Sequence, residues 1–148
     1  MLYRTLMLLS RIACRTPRPI LLALGWLLGN LYYLIIAKMR RRAVAHMMPA
    51  LGIDEKAAKK LVRASFINMA RNFLDILAMP MLNESNFRDY IEIDHLERMQ
   101  EALAEGHGVV VLTGHIGCWE WLSAAFTLNG MPVSAIAKPQ PNIQYTRV

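Results

Sequence analysis

The longest uninterrupted feature of the chain is an apolar run near its N-terminus. Residues Ile20 to Ala37 carry no charged side chain, and only Gly25, Gly29 and Asn30 interrupt their apolar character. As a helix, this run would be about 27 Å long at a rise of about 1.5 Å per residue, which nearly matches the hydrocarbon core of a bilayer. The pattern therefore predicts a helix inserted in a membrane, with a buried helix of a globular core as the alternative.

Basic side chains flank this run on both sides. Arginines precede it at Arg4, Arg11, Arg15 and Arg18, and Lys38, Arg40, Arg41 and Arg42 follow it. Because orientation in a membrane follows an excess of Lys and Arg on one side, this balance leaves the orientation open. A helix lying in one leaflet also stays open. Since basic residues stand where a small-residue cleavage site would be expected, we predict a retained membrane anchor over residues 1–42.

A second periodic segment follows. Asp54 and Glu55, after Gly52, indicate a helix start, and the helix is expected to end before Pro80. Its apolar residues recur at spacings of three and four: Ala58, Leu61, Val62, Phe66, Met69, Phe73 and Leu77. The other face carries Lys56, Lys59, Lys60 and Arg63. We predict a long amphipathic helix whose basic face is either solvated or in contact with acidic headgroups or an acidic partner.

After a loop at residues 83–86, the pattern changes to alternating strands and helices. Gly108 to Thr113 is a continuous apolar run rich in Val, typical of a strand buried on both faces of a largely parallel sheet. The other predicted elements are a strand over Tyr90–Ile93, a helix from a capping box at Asp94 and Glu97 to Gly106, a helix from about Cys118 to Leu128, and a strand over Pro132–Ala137. The fold class is therefore α/β: a membrane-associated helix and an amphipathic helix precede a β-α-β-α-β layered domain within residues 43–148.

Composition narrows the class of protein. The 148 residues and 16.8 kDa correspond to one ordinary domain, and 55% apolar residues exclude a disordered chain. The net charge of +6 suits anionic headgroups, phosphorylated ligands or nucleic acid without choosing among them. Cys14 and Cys118 form neither a disulfide framework nor paired zinc-ligand spacing, which indicates a reducing, cytosol-facing setting.

Candidate chemistry gathers after the central predicted strand. Reactive groups in parallel sheets collect beyond the carboxyl ends of strands, and His115 stands there, in a turn permitted by Gly114 and Gly117. Glu120 falls in the first turn of the next predicted helix, where a carboxylate is favoured. A histidine oriented by a carboxylate is a general base for a hydroxyl substrate. The alternative is a capping or core histidine satisfied by backbone groups.

Several other reaction classes lose support because their motifs are missing from the sequence. The chain has no G-x-S-x-G nucleophile elbow, no H-E-x-x-H zinc pair, no P-loop lysine and no G-x-G-x-x-G turn. We predict neither a metal nor a cofactor. Cys118 is expected to be a small buried hydrophobic residue rather than a nucleophile.

The spacing of His115, four residues and Glu120, after the Gly108–Thr113 run and before Lys138-Pro139 and Asn142, resembles the lysophospholipid acyltransferase superfamily. More narrowly, it resembles the lauroyl and myristoyl late acyltransferases of bacterial lipid A biosynthesis. Residues 42–51 and 63–77 are similar to the N-terminal half of that family. Because members of the family are longer, we expect the chain to be a truncated product or fragment, whose activity alone is in doubt.

The resemblance implies an enzyme that transfers a fatty acyl group from an acyl carrier protein thioester to a hydroxyl of a phosphorylated glycolipid, a lipid A precursor. It implies His115 as the base, Glu120 as its partner, and Lys138, Asn142 and Gly117 as substrate-binding residues. Direct transfer without an acyl-enzyme fits the missing nucleophile. The implied location is the bacterial inner (cytoplasmic) membrane with the active site facing the cytoplasm, and no nucleic acid partner is expected.

Two alternatives remain. The acceptor could instead be a lysophospholipid or a phosphatidylinositol mannoside. A different class of function is a non-catalytic membrane module that only binds lipid or carrier protein, in which His115 is a structural cap.

Overall fold

The computed structural model describes residues 2–136. The chain forms two compact units, Met1–Ala78 and Met79–Val148, which we call the N-terminal unit and the C-terminal unit. Over residues 2–136, both are built from helices and connecting segments. The predicted division into an anchor over residues 1–42 and a catalytic region over residues 43–148 stays a prediction.

The N-terminal unit contains four helices. They are α1 (Leu2–Arg15), α2 (Arg18–Ile35), α3 (Ala37–Leu51) and α4 (Glu55–Ala78). The apolar run therefore forms a helix, as predicted, and the amphipathic segment forms the long α4.

Local sequence sets the ends of these helices. Pro19 lies in the first turn of α2, where a missing backbone N–H costs no helical hydrogen bond. Gly52 ends α3 in the left-handed conformation, with φ of 62°, and its N–H donates to the carbonyl oxygen of Met48. The Asp54 carboxylate accepts the N–H of Ala57 at 2.7 Å, which caps the start of α4 as the sequence predicts.

Helix α4 is the centre of the N-terminal unit, and α1, α2 and α3 all pack against it. The buried cluster contains Val44 of α3 together with Ala58, Val62 and Phe66 of α4. The Tyr33 ring of α2 meets the Phe66 ring edge-on, with 5.7 Å between centroids. Such a pair stabilises the contact beyond the apolar area that it buries.

The C-terminal unit has less regular structure. Two short 3₁₀ helices, Met79–Met81 and Phe87–Asp89, precede α5 (Leu96–Ala104) and α6 (Glu120–Leu128). Among residues 79–136, the buried hydrophobic side chains are those of Phe87, Trp121, Ala125, Phe126 and Met131. Most of these belong to α6 or directly follow it, so α6 is the packed element of this unit.

The predicted α/β layered fold is wrong. No β-strand occurs among residues 2–136, and the segments predicted as strands at Tyr90–Ile93, at Gly108–Thr113 and, as far as Ile136, at Pro132–Ala137 are turns or irregular, with Ala137 outside the described residues. Val110 and Leu112, expected in a sheet core, are 89% and 92% exposed. A strand is completed by hydrogen bonds to a neighbouring strand, and no described segment provides one, so β-branched residues alone do not make a sheet.

The predicted helices of this unit are confirmed, but one of their caps is not. The helix expected to end at Gly106 is α5, and the helix expected to end at Leu128 is α6. The N-cap of α5 is His95, with a positive φ of 57°, and its Nδ1 lies 3.2 Å from an oxygen of Glu97. The capping box from Asp94 to Glu97 is therefore wrong, because the helix begins one residue later than the sequence suggested.

Candidate active site

His115 lies at the centre of a tight turn. The N–H of Ile116 donates to the carbonyl oxygen of Gly114 at 2.8 Å, which closes a three-residue turn around His115. The residue is exposed. Its imidazole ring stands against the ring of Trp119, with 5.0 Å between centroids and 61° between planes. The indole thus supports one side of the ring while the residue stays open to a substrate.

Gly117 connects this turn to α6. Its φ of 62° lies in the left-handed region, which costs little for glycine and more for other residues. A side chain at this position would meet no atom within 4 Å, so the backbone conformation, rather than crowding, explains the glycine.

Glu120 is the first residue of α6, as the sequence predicts to within the first turn. Unpaired N–H groups at a helix N-terminus favour a negative charge there. Cys118 Sγ donates to a carboxylate oxygen of Glu120 at 3.7 Å. The sequence predicted Cys118 to be a small buried hydrophobic residue, whereas in the structure it is half-buried and contacts the Glu120 carboxylate.

Buried side chains of α6 hold Glu120 in place. Trp121, Ala125 and Phe126 are buried on the inner face of this helix. The Tyr90 ring meets the Trp121 ring edge-on, with 6.3 Å between centroids. Because the inner face of α6 is buried, the first turn of this helix, which carries Glu120, is held close to the exposed turn at His115.

The structure thus places His115 beside Trp119, and Glu120 beside Cys118. Within residues 2–136, the described hydrogen bonds do not include one that joins His115 to Glu120, so the orienting role of Glu120 stays a prediction. Lys138 and Asn142, expected to bind substrate, lie outside the described residues. Trp119 is the contact that the sequence analysis missed, and its position four residues after His115 was the available signal.

Two features of residues 2–136 bear on what the protein binds. No group of three or more His, Cys, Asp or Glu side chains that could hold a metal ion occurs in this part of the chain. One helix here, α2, is long and apolar enough to cross a membrane by length and composition. Neither finding alone defines a function.

The comparison with protein families defines the class of protein. The family model described as bacterial lipid A biosynthesis acyltransferase matches residues 3–147, nearly the whole chain. The protein is thus an acyltransferase, an enzyme with an acyl donor and a lipid acceptor. It belongs to the bacterial lipid A biosynthesis acyltransferases, a membrane-associated family that acts on lipid A precursors. No curated protein and no solved structure matches the chain.

Proposed function

We propose that this protein transfers a fatty acyl group from an acyl carrier protein thioester to a hydroxyl group of a lipid A precursor, at the cytoplasmic face of the bacterial inner membrane. The family match over residues 3–147 carries this proposal. The exposed His115 turn next to the anchored start of α6 supports it, because a general base must be open to its substrate.

In the proposed reaction, a ring nitrogen of His115 removes the proton of the acceptor hydroxyl. The hydroxyl oxygen then attacks the thioester carbonyl carbon, and a carbon–oxygen bond forms as the carbon–sulfur bond breaks. The carrier leaves as a thiolate and takes up the proton, which leaves an ester and a free thiol. The His115 imidazolium that forms on the way carries a positive charge, which a nearby Glu120 carboxylate stabilises.

Trp119 has a positioning role in this proposal. Its ring contacts the His115 ring and limits the directions in which the imidazole can turn. A base held in one orientation needs less reorganisation to reach the transition state. Gly117 would give the acceptor room beside the base, since the structure shows open space where a side chain would project.

The test is acyl transfer by the full chain carrying His115→Ala. Labelled acyl carrier protein would be incubated with membranes that contain the variant and with a lipid A precursor, and ester formation would be followed. We expect activity to fall by about 10²- to 10⁴-fold, the usual contribution of a general base. Folding would be checked by far-UV circular dichroism.

The matched control is His107→Ala. His107 is also an exposed histidine of the C-terminal unit, but it lies outside the turn that joins residue 114 to α6. It should keep near-normal activity. A fully active His115→Ala enzyme would remove His115 from the mechanism, and label on an added lysophospholipid instead of the lipid A precursor would overturn the proposed acceptor.

A further inference from the structure

Helix α2 has two different faces. Leu21, Gly25 and Gly29 are buried on the face that packs against α4. On the opposite face, five residues at alternating spacings of four and three are apolar and between 42% and 65% exposed: Ile20, Leu24, Leu27, Leu31 and Leu34. An apolar stripe of this length marks a surface that contacts either a membrane or another protein.

Helix α4 runs antiparallel to α2 in contact with most of its length. The Arg18 guanidinium at the start of α2 pairs with the Asp75 carboxylate near the end of α4. Further along, Arg71 Nε donates to the carbonyl oxygen of Leu22 at 3.4 Å. Near the other end, Arg63 Nε donates to Oδ1 of Asn30 at 2.6 Å. Wherever α2 lies in a membrane, α4 must therefore lie beside it.

This pairing is incompatible with an upright α2. If α2 crossed the bilayer, the contacts of Arg71 with Leu22 and Gly25 would lie about 6–10 Å below the end of the helix, at 1.5 Å per residue. Arg63, which contacts Asn30 nearer the other end of α2, would also lie at the depth of the membrane, and charged side chains inside the hydrocarbon region are costly. With α2 parallel to the membrane plane, the apolar stripe enters the lipid while the face that carries Leu21, Gly25 and Gly29 stays against α4.

Helix α1 has the composition of an interfacial helix. Its exposed residues include the apolar side chains of Leu8, Leu9 and Ile12 and the basic side chains of Arg4, Arg11 and Arg15. Ser10 Oγ donates to the carbonyl oxygen of Leu77 at 2.7 Å, which fixes α1 to α4. Apolar and basic side chains exposed on one short helix are typical of helices that lie at a membrane surface.

The distribution of charge, together with the apolar stripe, fits an anionic bilayer as the occupant of the stripe. Residues 1–78 contain 13 Lys and Arg and three Asp and Glu, a net charge of +10. Residues 79–148 contain four Lys and Arg and eight Asp and Glu, a net charge of −4. A basic unit with an exposed apolar stripe complements a surface that is acidic outside and apolar within.

We propose that α2 does not cross the membrane: the N-terminal unit lies on one leaflet of an anionic bilayer, with the Ile20–Leu34 stripe in the acyl chains and the arginines of α1 at the headgroups. This inference deepens the membrane attachment in the proposed function and rests on it. The catalytic role of His115 does not depend on it.

The first test measures binding of the full chain to vesicles by flotation. Vesicles containing phosphatidylglycerol and phosphatidylcholine are compared with vesicles of phosphatidylcholine alone. The variant Leu27→Glu places a charge in the stripe, and Leu51→Glu is the matched control, because Leu27 and Leu51 are similarly exposed at 55% and 57%. We expect Leu27→Glu to bind at least about tenfold more weakly, as the loss of one buried leucine implies, and Leu51→Glu to bind nearly as well as the parent.

The second test determines on which side the two ends of α2 lie. In a Cys14→Ser, Cys118→Ser background, Arg15→Cys or Lys38→Cys is labelled with a membrane-impermeant maleimide in sealed inner-membrane vesicles of known orientation. Both positions should be labelled from the cytoplasmic side only. Labelling of the two positions from opposite sides would show a spanning helix and overturn the inference.

The other outcomes of these two tests also show whether this inference or the proposed function fails. Vesicle binding unchanged by Leu27→Glu would mean that another molecule covers the stripe, which also overturns the inference. A spanning α2 with intact, His115-dependent acyl transfer would refute this inference and leave the proposed function standing. Labelling of both positions from the cytoplasmic side, together with an active His115→Ala enzyme, would refute the proposed role of His115 and leave this inference standing.

Discussion

At the scale of single residues, Glu120 is the side chain whose role most needs a test. The structure places it at the first position of α6, against Cys118. We predict that Glu120→Gln lowers kcat for acyl transfer by about 10²-fold, because the amide keeps the shape of the side chain but removes the charge that stabilises the His115 imidazolium. The measurement is steady-state transfer with both substrates saturating, beside thermal unfolding of the same sample.

The control for this change is Glu105→Gln. Glu105 is an exposed carboxylate of the same unit, at the end of α5. The kcat of the Glu105→Gln enzyme should equal that of the parent enzyme. If Glu120→Gln also kept kcat within about twofold, a role in orienting the base would be excluded, since such groups usually contribute far more.

Single residues also show how far the sequence alone could reach. The position of Glu120 at a helix start depends on neighbours within a few residues, and it was predicted within one turn. The contact between His115 and Trp119 was not, because it depends on the turn that the backbone makes at Gly114 to Ile116. An aromatic residue four positions after a histidine allows such a contact without requiring it.

At the scale of elements, the backbones of α2 and α4 approach each other closely at Gly29. A Cβ at Gly29 would lie 2.4 Å from Cα of Ile67 and 2.8 Å from the carbonyl oxygen of Phe66. In an open helix, Gly→Ala stabilises by about 0.5–1 kcal/mol. We predict that Gly29→Ala instead lowers the free energy of unfolding by about 1–3 kcal/mol, because the two helices must move apart.

Urea unfolding in uncharged detergent micelles, followed by circular dichroism, measures this effect. Gly25→Ala should cost less, since the nearest backbone atom there, Cα of Arg71, is 3.0 Å away, compared with 2.4 Å to Cα of Ile67 at Gly29. Ala23→Leu, on the exposed side of α2, should change stability by less than about 0.5 kcal/mol. A Gly29→Ala protein as stable as the parent would mean that α2 and α4 do not pack this closely.

The elements differ in how well sequence predicts them. Helix α4 follows from its own periodicity and from the Asp54 cap, both local features. The run Gly108–Thr113 has the composition of a buried strand, but burial and pairing depend on segments distant in the sequence. In the structure Val110 and Leu112 are exposed. The composition of this run favours a buried strand, but the described segments do not provide the contacts that would bury and pair it.

At the scale of the whole molecule, the two units have opposite net charges, +10 for residues 1–78 and −4 for residues 79–148. The total of +6 hides this division, and composition alone therefore could not assign the basic character to one part of the chain. In the proposed function, the fatty acyl group is donated by an acyl carrier protein, and this carrier protein is acidic. Electrostatic attraction would draw it to the N-terminal unit, while His115 belongs to the acidic unit.

This division predicts how the reaction responds to salt. Long-range attraction between opposite charges raises the rate of encounter and is screened within about 8–10 Å near physiological ionic strength. We predict that the KM for the acyl carrier donor rises severalfold between low and high salt, while kcat changes little, because salt weakens encounter rather than the chemical step.

The assay belongs in uncharged detergent micelles, so that membrane charge does not contribute. A small acyl thioester without a carrier protein is the control, and its KM should not depend on salt. If salt left the KM for the carrier-bound donor unchanged as well, the basic surface of residues 1–78 would have no part in donor capture, and its charge would serve the membrane alone.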